Sequence, residues 1–179
     1  NIWRASFIRH PYISLQTLRY KIVYMTFFLY IVINILLAPS HLFEHIYAES
    51  VLKFDSLNVI SFNWVVLCGI IAGSIFTYCT FARLKWRYKT MTVIAFSLIT
   101  AYLMMFYFTI DYRLPKEALY LPIFFRSVAY VIVAICFLTS LSKVPFQYFF
   151  QAVSVQAFVS AAVGGAVGSA VLGRMLSII

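Results

Sequence analysis

The segment SHLFEHIYAES carries the residues with the most recognisable chemistry in this sequence. His41, Glu44 and His45 form the H-x-x-E-H pattern of one class of metalloprotease. At helical spacing His41, His45 and Glu49 share one face, and two imidazoles with a carboxylate can hold zinc and leave a position open for water. The pattern also fits a pH-sensing histidine or the solvated cap of a helix. Because the segment follows Pro39 at the end of an apolar run and no catalytic domain surrounds it, we predict no resident metal.

Arg126 is the second candidate, because it lies inside the long apolar run ALYLPIFFRSVAYVIVAICFLTSL. A central arginine in a membrane span costs about 2.5 to 3.5 kcal/mol, so such a residue normally faces the interior of a bundle or an aqueous cavity. The alternative is that its side chain snorkels to the outer interface. We predict that Arg126 couples charge movement to opening and closing of a cavity. Since no acid falls within a predicted span, we expect its partner to be a carboxylate from outside this chain, a backbone carbonyl or the substrate.

Other polar side chains also occur at membrane depth. They could line a transport pathway, or they could bond across helices, where each bond contributes about 0.6 kcal/mol. The polar residues that we assign to transport or coupling, together with Arg126, are Asn34, Asn63, Tyr130 and Gln156.

Small residues at four-residue spacing predict close helix contacts. Without side-chain bulk along one stripe, a neighbouring helix can approach closely, so we interpret these positions as packing sites. They are Gly69 and Gly73 in one apolar run, and Ser160, Gly164 and Gly168 in another, with Gly165 alongside as a further packing position.

Membrane-spanning helices must position these residues, because the composition excludes a soluble globular protein. Of 179 residues 64% are hydrophobic and 11% charged, with a mean hydropathy of +0.93, whereas soluble domains are about half apolar and about a quarter charged. A helix needs about 20 apolar residues to cross a bilayer. The predicted fold is therefore all-α, a polytopic membrane helix bundle with spans at about 19–39, 57–81, 91–110, 119–141 and 151–179. The first span is expected to bend or end at Pro39.

Charge is distributed unevenly between the predicted loops. One side holds nine of the fourteen basic residues and no acid, whereas the other side holds all five acids. By the positive-inside rule the basic side is cytoplasmic, so the net charge of +9 is a topology signal and predicts no nucleic-acid partner. Residues 1–18 then form a cytoplasmic lead-in to a transmembrane domain over 19–179. The cytoplasmic basic loop orients the chain, binds anionic lipid or forms a gate contact, and its basic residues are Arg83, Lys85, Arg87 and Lys89.

Several segments occur in a recognisable order. They are a basic entry ISLQTLRYKIVY, a Leu- and Pro-containing exit LAPSHLFEHIY, a Gly-containing end GIIAGSIF before the loop RLKWRYK, an arginine in FFRSVAYV, and a Gly/Ala-rich helix SAAVGGAVGSAVLG. In this order they resemble the C-terminal half of a major facilitator superfamily transporter, in the fourteen-span drug:proton antiporter group EmrB/QacA. The resemblance covers nearly the whole chain, and the Gly/Ala-rich helix, which is similar to the penultimate helix of that family, is its most specific part.

The resemblance implies a proton-coupled secondary transporter that exports drugs or other amphipathic compounds by alternating access from the bacterial inner membrane. It implies no cofactor beyond the proton gradient and a chain that is incomplete at both ends. The implied partners are the lipid bilayer, the missing N-terminal half and final helix, a small-molecule substrate, and a periplasmic adaptor with an outer-membrane channel. We predict no enzymatic activity, since no nucleophile and base occur together at membrane depth. The alternative function is a non-transporting membrane anchor or assembly subunit that packs through its Gly/Ser-rich helix.

Overall fold

A computed structural model describes residues 21–50, 53, 56–84, 87–111, 115, 117–142 and 145–176. Within these ranges the chain contains five helices and no strand. The helices are α1 (Lys21–Ser50), α2 (Ser56–Ala82), α3 (Tyr88–Asp111), α4 (Glu117–Leu141) and α5 (Phe146–Leu176). The predicted all-α fold is therefore confirmed. The predicted lead-in over 1–18 and Lys85 lie outside the described residues.

Helix length and composition make this a membrane-embedded protein. A span requires about 20 apolar residues. In the described part of the chain four stretches meet this requirement, and they are Ile60–Ala82, Tyr88–Thr109, Glu117–Leu141 and Phe149–Gly168. The apolar part of α1, Val23–Leu37, is shorter.

Helix α1 does not end at Pro39, which was one of the two outcomes predicted for this position, and it does not stop with its apolar run. It continues without interruption to Ser50. Proline lacks the amide hydrogen that would bond to the preceding turn, so the carbonyl of Ile35 receives no helical bond from position 39. The hydroxyl of Ser40 donates to the next carbonyl, that of Leu36, at 2.9 Å. The segment that follows the proline is the last three turns of a long helix and is not a separate cap.

The chain divides into two compact units, the first formed by the residues up to Ser40 with those from Phe137 onward and the second by His41–Cys136. In the first unit, the start of α1 packs against α5 and the end of α4. The core of this unit consists of Val23, Phe137, Leu141 and Ala152, against which Phe27, Tyr30, Phe149 and Val153 pack.

In the second unit, α2 and α4 approach each other at two glycines of α2. A Cβ added at Gly69 would lie 2.7 Å from the Cβ of Ser127, which is closer than real Cβ contacts allow. A Cβ added at Gly73 would lie 3.2 Å from the backbone of Val128. Only glycine lets the two helices come this close, as the four-residue spacing of these positions predicts.

Aromatic contacts hold the last turns of α1 against α2, and α2 against α4. The ring of His45 meets the ring of Phe62 edge-on, with centroids 6.5 Å apart. Phe62 in turn packs against Tyr120 at 5.9 Å. The hydroxyls of Tyr120 and Ser61 lie 3.0 Å apart, within hydrogen-bond distance. These contacts hold His45, the residue next to Glu44, against α2, and they thereby orient the turn of α1 that carries Glu44.

Candidate functional site

The second unit contains an ion pair buried among its helices. Nη2 of Arg126, on α4, lies 3.2 Å from Oε2 of Glu44, on α1. The two side chains expose only 10% and 4% of their surface. Charges removed from water to this degree need an opposite charge and further hydrogen bonds, because both lose their hydration.

Tyr102, on α3, supplies one of those hydrogen bonds. Its hydroxyl donates to Oε1 of Glu44 at 2.8 Å, and its side chain is completely buried. The two oxygens of Glu44 therefore have different partners, a neutral hydroxyl and a guanidinium. We refer to Glu44, Tyr102 and Arg126 as the buried triad. It joins three helices, α1, α3 and α4, through polar contacts.

An aromatic cluster holds Tyr102 in place. The ring of Tyr102 stacks on Phe106, one turn further along α3, with centroids 5.8 Å apart and planes inclined by 23°. Phe106 meets Tyr47 of α1 edge-on at 6.4 Å. Because Tyr47 follows Glu44 by three residues, α1 and α3 share two successive contacts, one polar and one aromatic. The phenol of Tyr102 is therefore aimed at Glu44 by packing on its ring.

Two polar atoms close to these contacts are buried and have no hydrogen-bond partner among the described residues, namely Nε of Arg126 and the hydroxyl of Tyr47. An arginine that binds a carboxylate in the bidentate geometry uses two nitrogens and both oxygens. Here Nη2 of Arg126 reaches Oε2, while Tyr102 donates to Oε1. Within the described part of the chain, Nε of Arg126 is left as an unused donor.

The turn of α4 that carries Arg126 is fixed by α2. A Cβ added at Gly69 would meet the side chain of Ser127 and would lie 3.1 Å from the carbonyl oxygen of Phe124, so α2 touches α4 on both sides of Arg126 in sequence. The hydroxyl of Ser127 donates to the carbonyl of Ile123 at 2.9 Å, within α4 itself. A bulkier residue at Gly69 would displace this turn and the guanidinium with it.

The sequence interpretation of Arg126 needs one correction. It placed the partner outside the chain's own acids, because Glu44 lies beyond Pro39 in a segment that was predicted to be a solvated outer loop. In the structure Glu44 is 3% exposed and is the carboxylate that pairs with Arg126. The error has a physical origin, since α1 continues through the proline and carries Glu44 inward.

The H-x-x-E-H pattern does not assemble into a ligand set. Its glutamate is engaged with Arg126 and Tyr102, the ring of His45 packs against Phe62, and Glu49 is exposed. The side chain of His41 lies outside the described residues. Among the residues that the structure does describe, no group of three potential ligands could hold a metal ion.

The other polar residues assigned to transport do not belong to the buried triad. Asn63 and Tyr130, in the second unit, are both exposed. Asn34, in the first unit, donates through Nδ2 to the carbonyl of Tyr30 at 2.8 Å within its own helix. Gln156, also in the first unit, is buried, and its Nε2 has no hydrogen-bond partner within the ranges that the structure describes.

The small residues of α5 divide between two faces. Ser160, Gly164 and Gly168 are buried, and a Cβ added at Gly164 would lie 3.4 Å from Asn34 of α1, an ordinary contact distance. Gly165 differs from its prediction as a packing residue, because a Cβ there would meet nothing within 4 Å in the described part of the chain. One residue corresponds to about 100° of helical rotation, so Gly165 is turned away from the stripe.

The predicted cytoplasmic basic loop is partly described. Arg83, Arg87 and Lys89 are exposed, and Phe81 packs against Tyr88 across the loop with ring centroids 5.5 Å apart. The exposed cations suit either a lipid surface or a protein contact outside the described residues. Orientation of the chain, binding of anionic lipid and a gate contact stay predictions for this loop.

Comparisons of the chain with family models, with curated proteins and with solved structures gave no match. The resemblance to the major facilitator superfamily therefore stays a prediction that depends on the sequence segments quoted above. The case for function depends on the geometry of the buried triad.

Proposed function

We propose that this chain is part of a proton-coupled secondary transporter, which moves drugs or other amphipathic compounds across a membrane by alternating access. The observation that supports the proposal is the buried triad, a hydrogen-bonded ion pair on three helices of a membrane-embedded chain. The sequence resemblance adds the family, the C-terminal half of an EmrB/QacA-type antiporter. It also adds the location, a bacterial inner membrane with the basic loop from Arg83 to Lys89 on the cytoplasmic side.

Stability alone is a poor reason for such a pair. Replacing a buried ion pair by apolar residues of similar volume is often neutral or stabilising, because the desolvation of both charges offsets their attraction. Ionisable residues at membrane depth instead mark proton relays and ion or substrate pathways. A carboxylate that faces an arginine and a phenol is a group whose charge can be switched by one proton.

Proton binding to Glu44 would change the energy of the whole site. A protonated Glu44 is neutral, so Arg126 would be left as an unpaired buried cation. Breaking a buried pair in this way costs about 3 to 5 kcal/mol. A two-state equilibrium moves from 1:99 to 99:1 for about 5.5 kcal/mol, so one proton supplies most of the free energy that a switch requires. The cation then regains a partner only if the helices rearrange to give it water, substrate or another carboxylate.

The competing function, a membrane anchor that packs through its Gly/Ser-rich helix, has less support. The stripe on α5 faces Asn34 of α1 at Gly164, and its flanking members Ser160 and Gly168 are buried as well. The surface that an assembly partner would need is therefore occupied within the chain. Transport gives a role to the buried ion pair of Glu44 and Arg126, whereas a membrane anchor gives it none.

The test is transport by the intact protein reconstituted into lipid vesicles with an imposed proton gradient and a fluorescent amphipathic dye. We expect dye movement that a protonophore abolishes. Glu44→Gln removes the proton acceptor but keeps a side chain of the same size, so we expect it to abolish gradient-driven movement. Glu49→Gln is the matched control, because Glu49 is exposed on the same helix and its loss should leave the rate unchanged. Gradient-driven transport by Glu44→Gln at the wild-type rate would overturn the proposal.

A further inference from the structure

We infer that Tyr102 is a positioning residue for Glu44, and that its hydroxyl sets the pH at which Glu44 takes up a proton. The inference rests on the proposed function for its biological meaning, because proton uptake matters only if the pair is a switch. Its physical basis is independent of transport. It consists of the contacts around the two oxygens of Glu44.

Arg126 and Tyr102 contact different oxygens of the Glu44 carboxylate. Oε2 faces Nη2 of Arg126 at 3.2 Å, and Oε1 accepts the hydroxyl of Tyr102 at 2.8 Å. The shorter of the two contacts is the one from the phenol. Among the described residues Nε of Arg126 has no hydrogen-bond partner, so the guanidinium does not bind Glu44 through Nε. Tyr102 supplies the hydrogen bond to Oε1.

The hydroxyl of Tyr102 is held in place by the packing of its ring. Tyr102 is fully buried, and its ring stacks on Phe106, which in turn meets Tyr47 of α1. Tyr47 and Glu44 lie on the same helix, so the aromatic cluster fixes the phenol relative to the carboxylate that it serves. A donor held in this way stabilises the ionised carboxylate without needing to reorganise when the proton leaves.

The surroundings of Glu44 determine how readily it takes up a proton. Burial has the largest effect on the charge of Glu44, and among the described residues the charged or titratable side chains placed against it are Arg126 from α4 and Tyr102 from α3. The neighbouring His45 on α1 turns its ring to Phe62 of α2. The strength of the Tyr102 hydrogen bond is therefore the contact that can tune proton uptake without removing the ion pair.

The experiment is an infrared titration of the purified intact protein, which follows the carboxyl stretch of Glu44, assigned by its loss in Glu44→Gln. Tyr102→Phe removes one hydrogen bond from the ionised form, so that form becomes less stable and the proton binds more readily. We expect the titration midpoint to rise by about one to two pH units. Tyr107→Phe, on the same helix but exposed, is the matched control and should leave the midpoint unchanged.

A midpoint within about 0.3 pH units of wild type in Tyr102→Phe, or an equal rise in Tyr107→Phe, would overturn the inference. If Tyr102→Phe does not fold, 3-fluorotyrosine at position 102 keeps the ring and the hydroxyl but makes the phenol a stronger donor. The midpoint should then fall, and an unchanged midpoint would count against Tyr102. The readout does not depend on transport. A protein that moves no dye but shows the infrared shift would therefore refute the proposed function alone.

Discussion

Replacing one member of the Glu44–Arg126 pair should destabilise the protein far more than replacing both. At 3.2 Å and an effective dielectric constant of about 20, the attraction between the two charges is about 5 kcal/mol. Both side chains are at least nine-tenths buried, so solvent screens this attraction weakly. Glu44→Gln or Arg126→Met alone should therefore cost about 3 to 5 kcal/mol, because each leaves an unpaired charge inside the protein.

In the double variant no charge remains buried, and Gln at position 44 still offers Tyr102 an acceptor. We expect the double variant to lie within about 2 kcal/mol of wild type, which is about 4 kcal/mol or more below the sum of the single effects. The assay is unfolding of the purified protein in mixed micelles by increasing fractions of denaturing detergent, followed by circular dichroism. Glu49→Gln serves as the surface control. Single effects below about 1 kcal/mol that simply add in the double variant would refute the reasoning, since they would show that the pair is not buried in the protein.

Two further predictions follow from glycine contacts and from charge. Gly69→Ala should cost about 1 to 3 kcal/mol in the same unfolding assay, because its Cβ would lie 2.7 Å from Ser127, whereas Gly165→Ala should be neutral or slightly stabilising. Equal effects at the two glycines would contradict the packing of α2 on α4. In a variant without native cysteines, Arg87→Cys should react with a membrane-impermeant thiol reagent from the cytoplasmic side and Glu49→Cys from the opposite side, as the positive-inside rule predicts. Labelling of both from one side would refute that orientation.

Much of the fold is predictable from the sequence because the helices are separated by short polar segments. The predicted spans at 57–81, 91–110 and 119–141 lie inside α2, α3 and α4. The paired glycines of α2 predict a close helix contact, and the structure supplies the neighbouring helix, α4. Local information suffices for these features, since hydrophobic length and residue size act within a few turns.

The site was less predictable, because it depends on contacts between distant parts of the chain. Arg126 was identified as the buried charge, and its burial is now observed. Glu44 was not recognised as its partner, nor Tyr102 as the donor to Glu44, since 58 positions separate Tyr102 from Glu44. The H-x-x-E-H pattern further directed attention to the histidines and to Glu49 as ligands. Pro39 likewise led to the expectation that α1 bends or ends there, because a proline usually interrupts a helix.

A signal for Glu44 was nevertheless present in the spacing of α1. Its buried positions at three- and four-residue intervals are Ile33, Leu37, Ser40, Glu44 and Tyr47. An acid in phase with a buried stripe is carried inward by its helix, and a charge carried inward requires an opposite charge. Glu49 falls out of that phase and is exposed. Arg126 is the basic residue that lies well inside an apolar run, so each charge predicts the need for the other. Glu44, the glutamate of the H-x-x-E-H pattern, is therefore the counter-charge of Arg126.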